Sequence, residues 1–338
     1  MTRMRHFSRR TLGALLAAAV LTAGPAAGDE RVPVHGDRFV PLRLPVGVDA
    51  TLADLVRVGR REDALSLIAE GHDVDVPEAS GNGTTALHWA VYQHDAELVR
   101  ALLDAGATPS TRNLFGSTPL MEAAVAGHTA IIAMLLEAGA DPESANYENQ
   151  TALMAVARTG NVEAAQLLRD AGADPNAFET WGGQTALMWA AARRHPDMIR
   201  LLAEHGADID ARSFDRVWER RTTAEPRPKN YDSGGMTAAL FAAREGCVAC
   251  IPALKELGAD LDLGNRNGVT PLLIALLNLR WDTALALIDA GADPTQWDVF
   301  GRSPVYAAVD LDARLSSGHP DIPAFETTKP IEVRAGFE

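Results

Sequence analysis

Apolar residues along most of this chain recur in pairs of short helical patterns. The first pattern is a run of small and apolar residues such as 86–92, which follows a threonine suited to cap a helix. The second places apolar residues at helical spacing, as at Leu98, Val99 and Leu102. A glycine comes after the second pattern, where a left-handed backbone commonly ends a helix. Each stretch therefore predicts two short helices.

This helix pair repeats with a nearly constant period. The residue that begins the first helix recurs at intervals of 33, 33, 34, 52, 33 and 33 residues, as Thr85, Thr118, Thr151, Thr185, Thr237, Thr270 and Ser303. The glycine that ends the second helix recurs in phase with it, as Gly106, Gly139, Gly172, Gly206, Gly258 and Gly291. Two signals in phase predict helix pairs stacked into a solenoid with an extended concave surface.

The repeated segments resemble the ankyrin repeat. Thr118 begins the sequence Thr-Pro-Leu-Met-Glu-Ala, which is similar to the ankyrin signature Thr-Pro-Leu-His-x-Ala, and the period agrees. The resemblance extends from Ala50 to Val309. It implies an all-α ankyrin solenoid over residues 49–315, made of seven units and a half unit with short hairpin turns. Residues 316–338 are expected to form an irregular tail.

The two ends of the array depart from the pattern. Residues 52–75 look like a degenerate first unit that directs Leu52, Leu55, Val56, Leu65 and Ile68 inward. Arg57, Arg60 and Arg61 are expected to form its solvated outer face, as a capping unit requires. The last unit has a first helix at about Pro304 to Arg314, and no second helix follows. Either the tail covers Val305, Val309 and Leu311, or that end stays open.

Residues 1–28 have the order of a secretory signal peptide. Arginines come first, an apolar run follows, and small residues precede the first acid, Asp29. The apolar run is shorter than the roughly 20 residues that span a bilayer. We expect cleavage near Asp29, a linker over 29–48, a periplasmic or secreted mature chain without a membrane span, and thus an exported, bacterial-type ankyrin-repeat protein. The Arg9–Arg10 pair leaves both twin-arginine and general export open.

The net charge of the chain limits the kinds of partner that it is expected to bind. The formal net charge is -14, and removal of residues 1–28, which carry four arginines and no acid, takes it to −18. An acidic surface argues against nucleic acid, since phosphates require basic groups. The chain shows no hydrolase, nucleotide-binding or zinc-protease motif, so we predict no catalytic residues, no cofactor and no metal. His88 and His128 match the ankyrin motif and are expected to hydrogen-bond between units. Asp141, Asp174, Asp208 and Asp293 are interpreted as turn formers.

Cys247 and Cys250 are the two cysteines of the chain, and they lie near the start of a second helix. Residues three apart on a helix bring their Cα atoms to roughly 5–6 Å, which permits a disulfide. An oxidising compartment favours that bond. Free core thiols and a redox-active pair are the alternatives.

An insertion interrupts the repeat between Thr185 and Thr237. Their spacing exceeds the usual period by 19 residues, which gives an inserted loop at about 214–232. It holds five basic residues and two aromatic ones, namely Arg216, Arg220, Arg221, Arg227, Lys229, Trp218 and Tyr231. Prolines disfavour regular structure there. The loop is either a mobile solvated segment or a finger that contacts a partner.

The ankyrin resemblance implies that turn tips and exposed first-helix positions bind a partner. At the tips lie Phe115, Tyr147, Trp181 and Phe300, and on the helix positions lie Tyr92, Gln93, Arg158, Arg193 and Arg244. From the insert, Trp218, Arg220, Arg221 and Tyr231 complete the predicted site. Trp89, Trp189 and Phe241 are expected to pack between repeats instead.

These features favour a non-catalytic protein-binding scaffold or regulator whose partner is a protein of unknown identity. This step rests on the family resemblance, because a fold alone does not fix function. A redox accessory protein that uses the cysteine pair is one alternative. A small-ligand or glycan binder that uses the aromatic tips is another.

Overall fold

The computed structural model describes residues 33–34, 38–39, 50–215 and 234–316. By contacts the chain divides into two compact units, Met1–Arg43 and Leu44–Glu338. The predicted signal peptide, most of the predicted insert and nearly all of the predicted tail lie outside the described residues. So do Trp218, Arg220, Arg221 and Tyr231 of the predicted site.

In the first unit, two short strands pair within the segment predicted as a linker. Strands β1 (Pro33–Val34) and β2 (Arg38–Phe39) are antiparallel, with Pro33 opposite Phe39.

In its described part the second unit consists of helices joined by turns and hairpins, with one isolated bridge between Phe178 and Thr185. Its helices in chain order are α1 (Leu52–Arg57), α2 (Arg61–Ala69), α3 (Ala86–Tyr92), α4 (Ala96–Asp104), α5 (Pro119–Ala126), α6 (Thr129–Glu137), α7 (Ala152–Thr159), α8 (Val162–Asp170), α9 (Ala186–Ala192), α10 (Pro196–Glu204), α11 (Ala238–Glu245), α12 (Cys250–Glu256), α13 (Pro271–Leu277), α14 (Trp281–Asp289) and α15 (Pro304–Ser316). The odd-numbered helices are the first helices of successive units, and α15 extends two residues beyond its predicted end.

First helices pack side by side in one row and second helices in another, so each unit contacts the next. Small side chains allow this close approach, since Ala90, Ala124, Ala157 and Ala191 are all fully buried in the first-helix row. The stack continues across the insertion, because α9 contacts α11 and α10 contacts α12. The predicted all-α solenoid of stacked helix pairs is confirmed.

The predicted helix boundaries follow from capping chemistry. The Thr118 hydroxyl accepts a hydrogen bond from the Met121 N–H at 3.2 Å, and Thr237 caps Leu240 in the same way at 3.3 Å. Each of the six glycines predicted to end a second helix has a positive φ, between 88° and 97°. This left-handed conformation favours glycine because it crowds a Cβ.

A ladder of side chains connects the turns that follow the second helices. The Asp141 N–H donates to Ser110 Oγ, and the Asp174 N–H donates to Glu143. The carboxylates of Asp141 and Asp174 also accept from backbone N–H groups two residues on, which confirms the predicted turn-forming role. The ladder crosses the insertion, because Asp210 accepts from the Asp260 N–H at 3.1 Å.

The charged residues of the first unit differ from the prediction. Arg61 keeps about a third of its side chain exposed, as predicted, but it also pairs with Asp95 at 2.8 Å and with Glu97 in the next unit. Arg57 is largely buried and pairs with Glu78 at 3.1 Å. These partners come from later in the chain, which is why the local pattern did not reveal them. Arg60 is exposed as predicted and pairs with Asp63.

The two predicted bridging histidines also differ from each other. His88 is buried and confirms the prediction, since its ring bonds Thr85 at 2.9 Å and the Ser117 carbonyl of the next unit at 3.2 Å. His128 instead precedes α6, outside the motif position, and its ring lies 3.9 Å from that of His94. Burial lowers the pKa of His88, and burial together with the charge of His94 lowers the pKa of His128.

Within the part of the chain described, no helix has the length and apolar content needed to cross a membrane.

Candidate protein-interaction face

Each hairpin tip is held by one polar side chain at its base. Asn113 Oδ1 accepts from the N–H groups of Phe115 and Ser117, both at 3.0 Å. In the longer hairpin after α8, the buried carboxylate of Glu179 accepts from the N–H groups of Trp181 and Gly182. Neighbouring tips are also joined, since the Thr180 N–H donates to the Glu148 carbonyl at 2.8 Å. The tips are therefore fixed in position.

The predicted tip aromatics are solvent-exposed on this fixed scaffold. Phe115, Tyr147 and Trp181 belong to three successive hairpins, and their side chains are 70%, 66% and 67% exposed. Phe300, in the last hairpin, is 53% exposed and lies beneath Arg302, whose guanidinium carbon is 5.1 Å from the ring. Repeat packing does not require large exposed rings, and exposed apolar side chains of this size are typical of interaction surfaces.

Ring contacts join some of the consecutive tips. The Tyr147 ring lies against Gly116 of the preceding hairpin, where a Cβ would come within 2.8 Å of it. Phe178 and Phe214 meet edge to face at 5.4 Å, and Phe214 covers Gly183 in the same manner. Aromatic packing between tips thus occurs, but it involves mainly Phe178 and Phe214, which lie outside the predicted set.

Trp297, Leu114 and Val299 are further exposed apolar residues of the hairpins that the sequence analysis missed. Their register relative to Ser303 and Thr118 could have revealed them, since neighbouring positions in the same hairpins were predicted. The tip at 265–268 breaks the apolar row, because its residues are Asn, Arg, Asn and Gly.

The insertion begins and ends at such a tip. The Ser213 N–H donates to the Met236 carbonyl at 2.9 Å, closing the hairpin across the inserted residues as Asn113 and Ser117 close an ordinary one. The Phe214 N–H continues the tip-to-tip bonding by donating to Gly182 at 2.7 Å. The described residues that flank the insertion, Phe214 among them, therefore lie beside the Trp181 tip.

The first helices contribute a second group of side chains. Trp89 and Trp189 are half-buried and Phe241 is buried, which confirms their packing against the core. The Nε1 atoms of both tryptophans are shielded from solvent and have no hydrogen-bond partner among the described residues. Tyr92 is exposed and meets Trp89 edge to face at 5.8 Å.

Arg158 and Arg193 come from adjacent units and act on each other electrostatically. The Arg158 guanidinium lies over the Trp189 ring, 6.0 Å from its centre. Burial, and then the charge of Arg193, lower the pKa of Arg158. Neither guanidinium has an ion-pair partner within the described part of the chain.

Arg244 occupies the same repeat position as Arg158 but is neutralised. Its Nε donates to Glu245 at 2.8 Å, and its guanidinium lies over Phe241 at 4.9 Å. Gln93 also has an internal role, since its side-chain N–H group donates to the Val56 carbonyl of the preceding unit at 2.7 Å. Of the predicted helix positions, Tyr92, Arg158 and Arg193 are thus the ones whose polar groups are not already engaged in these contacts.

The cysteine pair lies apart from this face. Cys247 and Cys250 are buried, their Cα atoms are 5.3 Å apart, and their sulfur atoms are at bonding distance. Cys247 Sγ also accepts from the Cys250 N–H at 3.2 Å, at the start of α12. Because thiol exchange requires an accessible sulfur, this burial argues against the redox alternative.

Comparison with known proteins agrees with this architecture. The family described as "Ankyrin repeats (3 copies)" matches residues 52–146, 138–213 and 222–298. Ankyrin repeat and SOCS box protein 6 of Mus musculus is 36% identical over 94 residues, which is 27% of this chain and 18% of that protein. The B-cell lymphoma 3 protein homolog of Mus musculus is 30% identical over 132 residues, covering 38% of this chain and 25% of that protein. The chain thus spans a quarter or less of these eukaryotic relatives.

Solved structures are similar in fold. The human ASB11 ankyrin repeat domain has a TM-score of 0.58 at 24% identity, covering 73% of this chain and 100% of that domain. The ankyrin repeat domain of Bcl-3 has a TM-score of 0.54 at 23% identity, and the match covers 70% of this chain and 95% of that domain. This chain therefore belongs to the ankyrin-repeat family, as shown by the family match over most of the chain together with the helix pairs and the hairpin tips.

Proposed function

We propose that this protein is a non-catalytic scaffold or regulator that binds a protein partner through its hairpin tips and first-helix face. The row of exposed rings at Phe115, Tyr147 and Trp181 carries this proposal. Large exposed apolar side chains on a fixed frame are typical of interaction surfaces, where aromatic residues and arginine supply most of the binding energy. Ankyrin repeats are protein-binding modules, which supports the same reading.

The names of the relatives give no reason to propose a catalytic activity for this chain. One is an E3 ubiquitin-protein ligase of Arabidopsis thaliana, of which this chain covers 6%, so the likeness lies in the repeats. The surface described above offers a partner apolar and charged contacts. A non-catalytic role therefore agrees best with the family and with the absence of catalytic motifs from the sequence.

The mature protein is proposed to act in the periplasm or outside the cell. The charge-then-apolar order of residues 1–28 supports this location. Mass spectrometry of the native protein should find a chain that begins near Asp29, and an intact Met1 would contradict export. Replacing Arg9 and Arg10 with lysine should block export strongly if the twin-arginine route is used.

A disulfide between Cys247 and Cys250 is part of this proposal. Their spacing, the bonding distance between their sulfur atoms and an oxidising compartment support it. Thiol labelling of freshly isolated, unreduced protein should modify neither cysteine.

Partner capture tests the function. Residues 29–338 serve as bait in an extract of the exported fraction, and the affinity of the captured protein is then measured. Trp181→Ala and Tyr147→Ala should each weaken binding at least about fivefold, equivalent to roughly 1 kcal/mol, with little change in thermal stability. Leu285→Ala is the matched control, because Leu285 is exposed and apolar but lies on the second helix α14. Lower stability with unchanged capture would make the tip rings structural.

The insert is tested separately. Deletion of residues 216–229 should weaken capture if the insert contacts the partner, since its stem lies beside Trp181. Unchanged capture would identify it as a solvated loop. Binding of a glycan or small ligand in place of any protein would favour the alternative function.

A further inference from the structure

We propose that Arg158 and Arg193, beside Trp189, form a carboxylate-binding subsite that receives an acidic side chain of the protein partner. This inference rests on the proposed function and specifies the chemistry of its partner. The two arginines lie near the ends of α7 and α9, at adjacent positions of consecutive repeats.

Charge balance is the first argument. The protein has a net charge of -14, and Arg57, Arg61, Arg244 and Arg302 each pair with an acid. Arg158 and Arg193 instead repel each other, and within the described residues no carboxylate offsets them. An anion supplied by another molecule would relieve that repulsion and could be held by both guanidinium groups.

The second argument is the desolvated surroundings of Arg158. Its guanidinium lies 6.0 Å from the centre of the Trp189 ring, and burial disfavours its charge. An ion pair formed in such a place is stronger than one in open water. Trp189 Nε1 also lacks an acceptor among the described residues, so a partner oxygen that reached it would satisfy a shielded donor.

The equivalent position in the sixth unit shows an arginine whose charge is already paired. Arg244 has the same repeat position as Arg158 and the same kind of aromatic neighbour, but Glu245 occupies its guanidinium. Unit four has Thr159 at the position of Glu245. An acidic peptide segment should therefore bind at Arg158 and Arg193 and avoid Arg244, which serves as the matched control.

Titration of the full mature chain with one defined probe tests the subsite. The probe is the capped tetrapeptide acetyl-Glu-Glu-Tyr-Glu-amide, and the readouts are the arginine Nε–H and tryptophan indole N–H resonances in nitrogen-15 NMR spectra. Saturable shifts are expected at Arg158, Arg193 and Trp189 but not at Arg244. The Gln-for-Glu peptide should cause none. Trp189→Phe assigns the indole signal.

Variants separate a binding role from a structural one. Arg158→Gln with Arg193→Gln should weaken peptide binding at least tenfold, whereas Arg244→Gln should leave it unchanged. Arg158→Gln should also keep or slightly raise the melting temperature, because it removes a repelling, partly desolvated charge. A structural arginine would lower it.

Several outcomes would overturn the inference. No response up to millimolar peptide, equal shifts at all exposed arginines, or equal loss in Arg244→Gln each contradicts a specific subsite. Equal binding of inorganic phosphate would show a general anion site in place of a carboxylate site. Retained partner capture alongside any of these results would reject the subsite while leaving the proposed function intact.

Discussion

At the N-terminal end of the repeat array, charged side chains close the first unit, whereas at the C-terminal end the last unit presents apolar side chains to solvent. Asp54 is buried in α1 and accepts from Thr51 Oγ1 at 2.8 Å, from the Thr51 N–H at 3.1 Å and from the Ala79 N–H at 3.2 Å. Arg61 then ties α2 to the second unit. At this end, hydrogen bonds and ion pairs within the described residues thus satisfy the polar groups of the first unit.

The last unit keeps the apolar pattern of an interior unit. Val309 has the same repeat position as Leu276 of the unit before it, yet Val309 is 66% exposed and Leu276 only 7%. Val305 and Tyr306 are likewise exposed at positions that are buried in the preceding units. Burial at these positions thus depends on a following unit. The same sequence pattern therefore contributes less to the free energy of unfolding in the last unit than in an interior unit. We expect the last unit to open first, because each repeat is stabilised mainly by its neighbours.

The largest expected difference comes from placing a charge at one repeat position in two units. Val91 is fully buried and shares its position with Val309. Val91→Asp should cost more than about 4 kcal/mol of unfolding free energy, because an unpaired charge enters the core. Val309→Asp should change stability by less than about 0.5 kcal/mol. Chemical denaturation measures both.

A large cost for Val309→Asp would show that residues beyond 316, or another molecule, cover that end. The tail would then be the covering segment if its deletion lowers stability by a similar amount. Either result decides whether the tail covers the last unit or that end of the array stays open.

Asp54→Ala should give the next largest effect, about 3 kcal/mol. The change removes the half of the capping box that Asp54 supplies and leaves the Thr51 and Ala79 N–H groups without this acceptor. It also removes the contact of Asp54 with Arg57, which keeps Glu78. Asp54→Asn is the control, since it retains an acceptor but not the charge, and it should cost less. If Asp54→Ala were nearly neutral in thermal unfolding, the polar closure of this end would have little energetic importance.

Acidification should weaken the end that is stronger at neutral pH. Burial opposes the charge of Asp54, but hydrogen bonds from Thr51 and Ala79 outweigh it and lower the pKa of Asp54. Its contribution is therefore present above the unfolded pKa, about 3.8, and lost as pH falls through the folded value. Burial lowers the pKa of His88, so His88 costs stability as pH falls below about 6.5.

Hydrogen exchange at pH 7.5 and pH 5.5 tests the His88 contribution, because Asp54 stays ionised at both pH values. Amides of α1 and α3 should lose more protection on acidification than those of α13. His88→Met should reduce that loss, since Met121, Met154 and Met188 hold the same position in later units. Equal loss along the array would indicate that charge in general, and not His88, is responsible.

The cysteine pair lies towards the weaker end, in the sixth unit, and should matter only modestly. Chain-entropy reasoning for so short a loop gives at most about 2 kcal/mol. Replacing Cys247 and Cys250 together with serine should lower the melting temperature by a few degrees. Collapse of the fold would contradict this modest role.

The local parts of this fold were predictable and the long-range polar contacts were not. Threonine caps and helix-ending glycines act through residues three or four positions away, so their spacing shows in the sequence. The pairing of Arg61 with Asp95, and the contrast between Arg158 and Arg244, depend on which side chains meet after stacking. In the candidate site the exposed tips followed from register, whereas the internal role of Gln93 did not. Sequence spacing gave no sign that its side-chain N–H group would reach Val56.

The smallest expected effect lies at Asp210, where the ladder passes from the fifth unit to the sixth. Burial, and then the charges of Asp260 and Asp208, raise the pKa of Asp210. Its charged form is thus less favourable in the folded chain than in the unfolded chain, so the carboxylate costs stability at neutral pH and this cost disappears as pH falls through the folded value. Asp210→Asn keeps an oxygen for the Asp260 N–H. It also gains an N–H group of the kind that Asn176, at the same ladder position, donates to Gly206.

We therefore expect Asp210→Asn to raise stability by about 0.5 kcal/mol or less, seen as a small increase in melting temperature. Asn176→Asp is the mirror variant and should lower stability, since it adds a charge near Asp174 and Asp208 and removes a donor. The gain at Asp210 should shrink in acid. A loss of stability in Asp210→Asn would mean that Arg212, whose charge favours the ionised carboxylate, compensates it fully. Charge would then stabilise the junction between the fifth and sixth units, as it does the N-terminal end, and the contrast between the two ends would extend to the middle of the array.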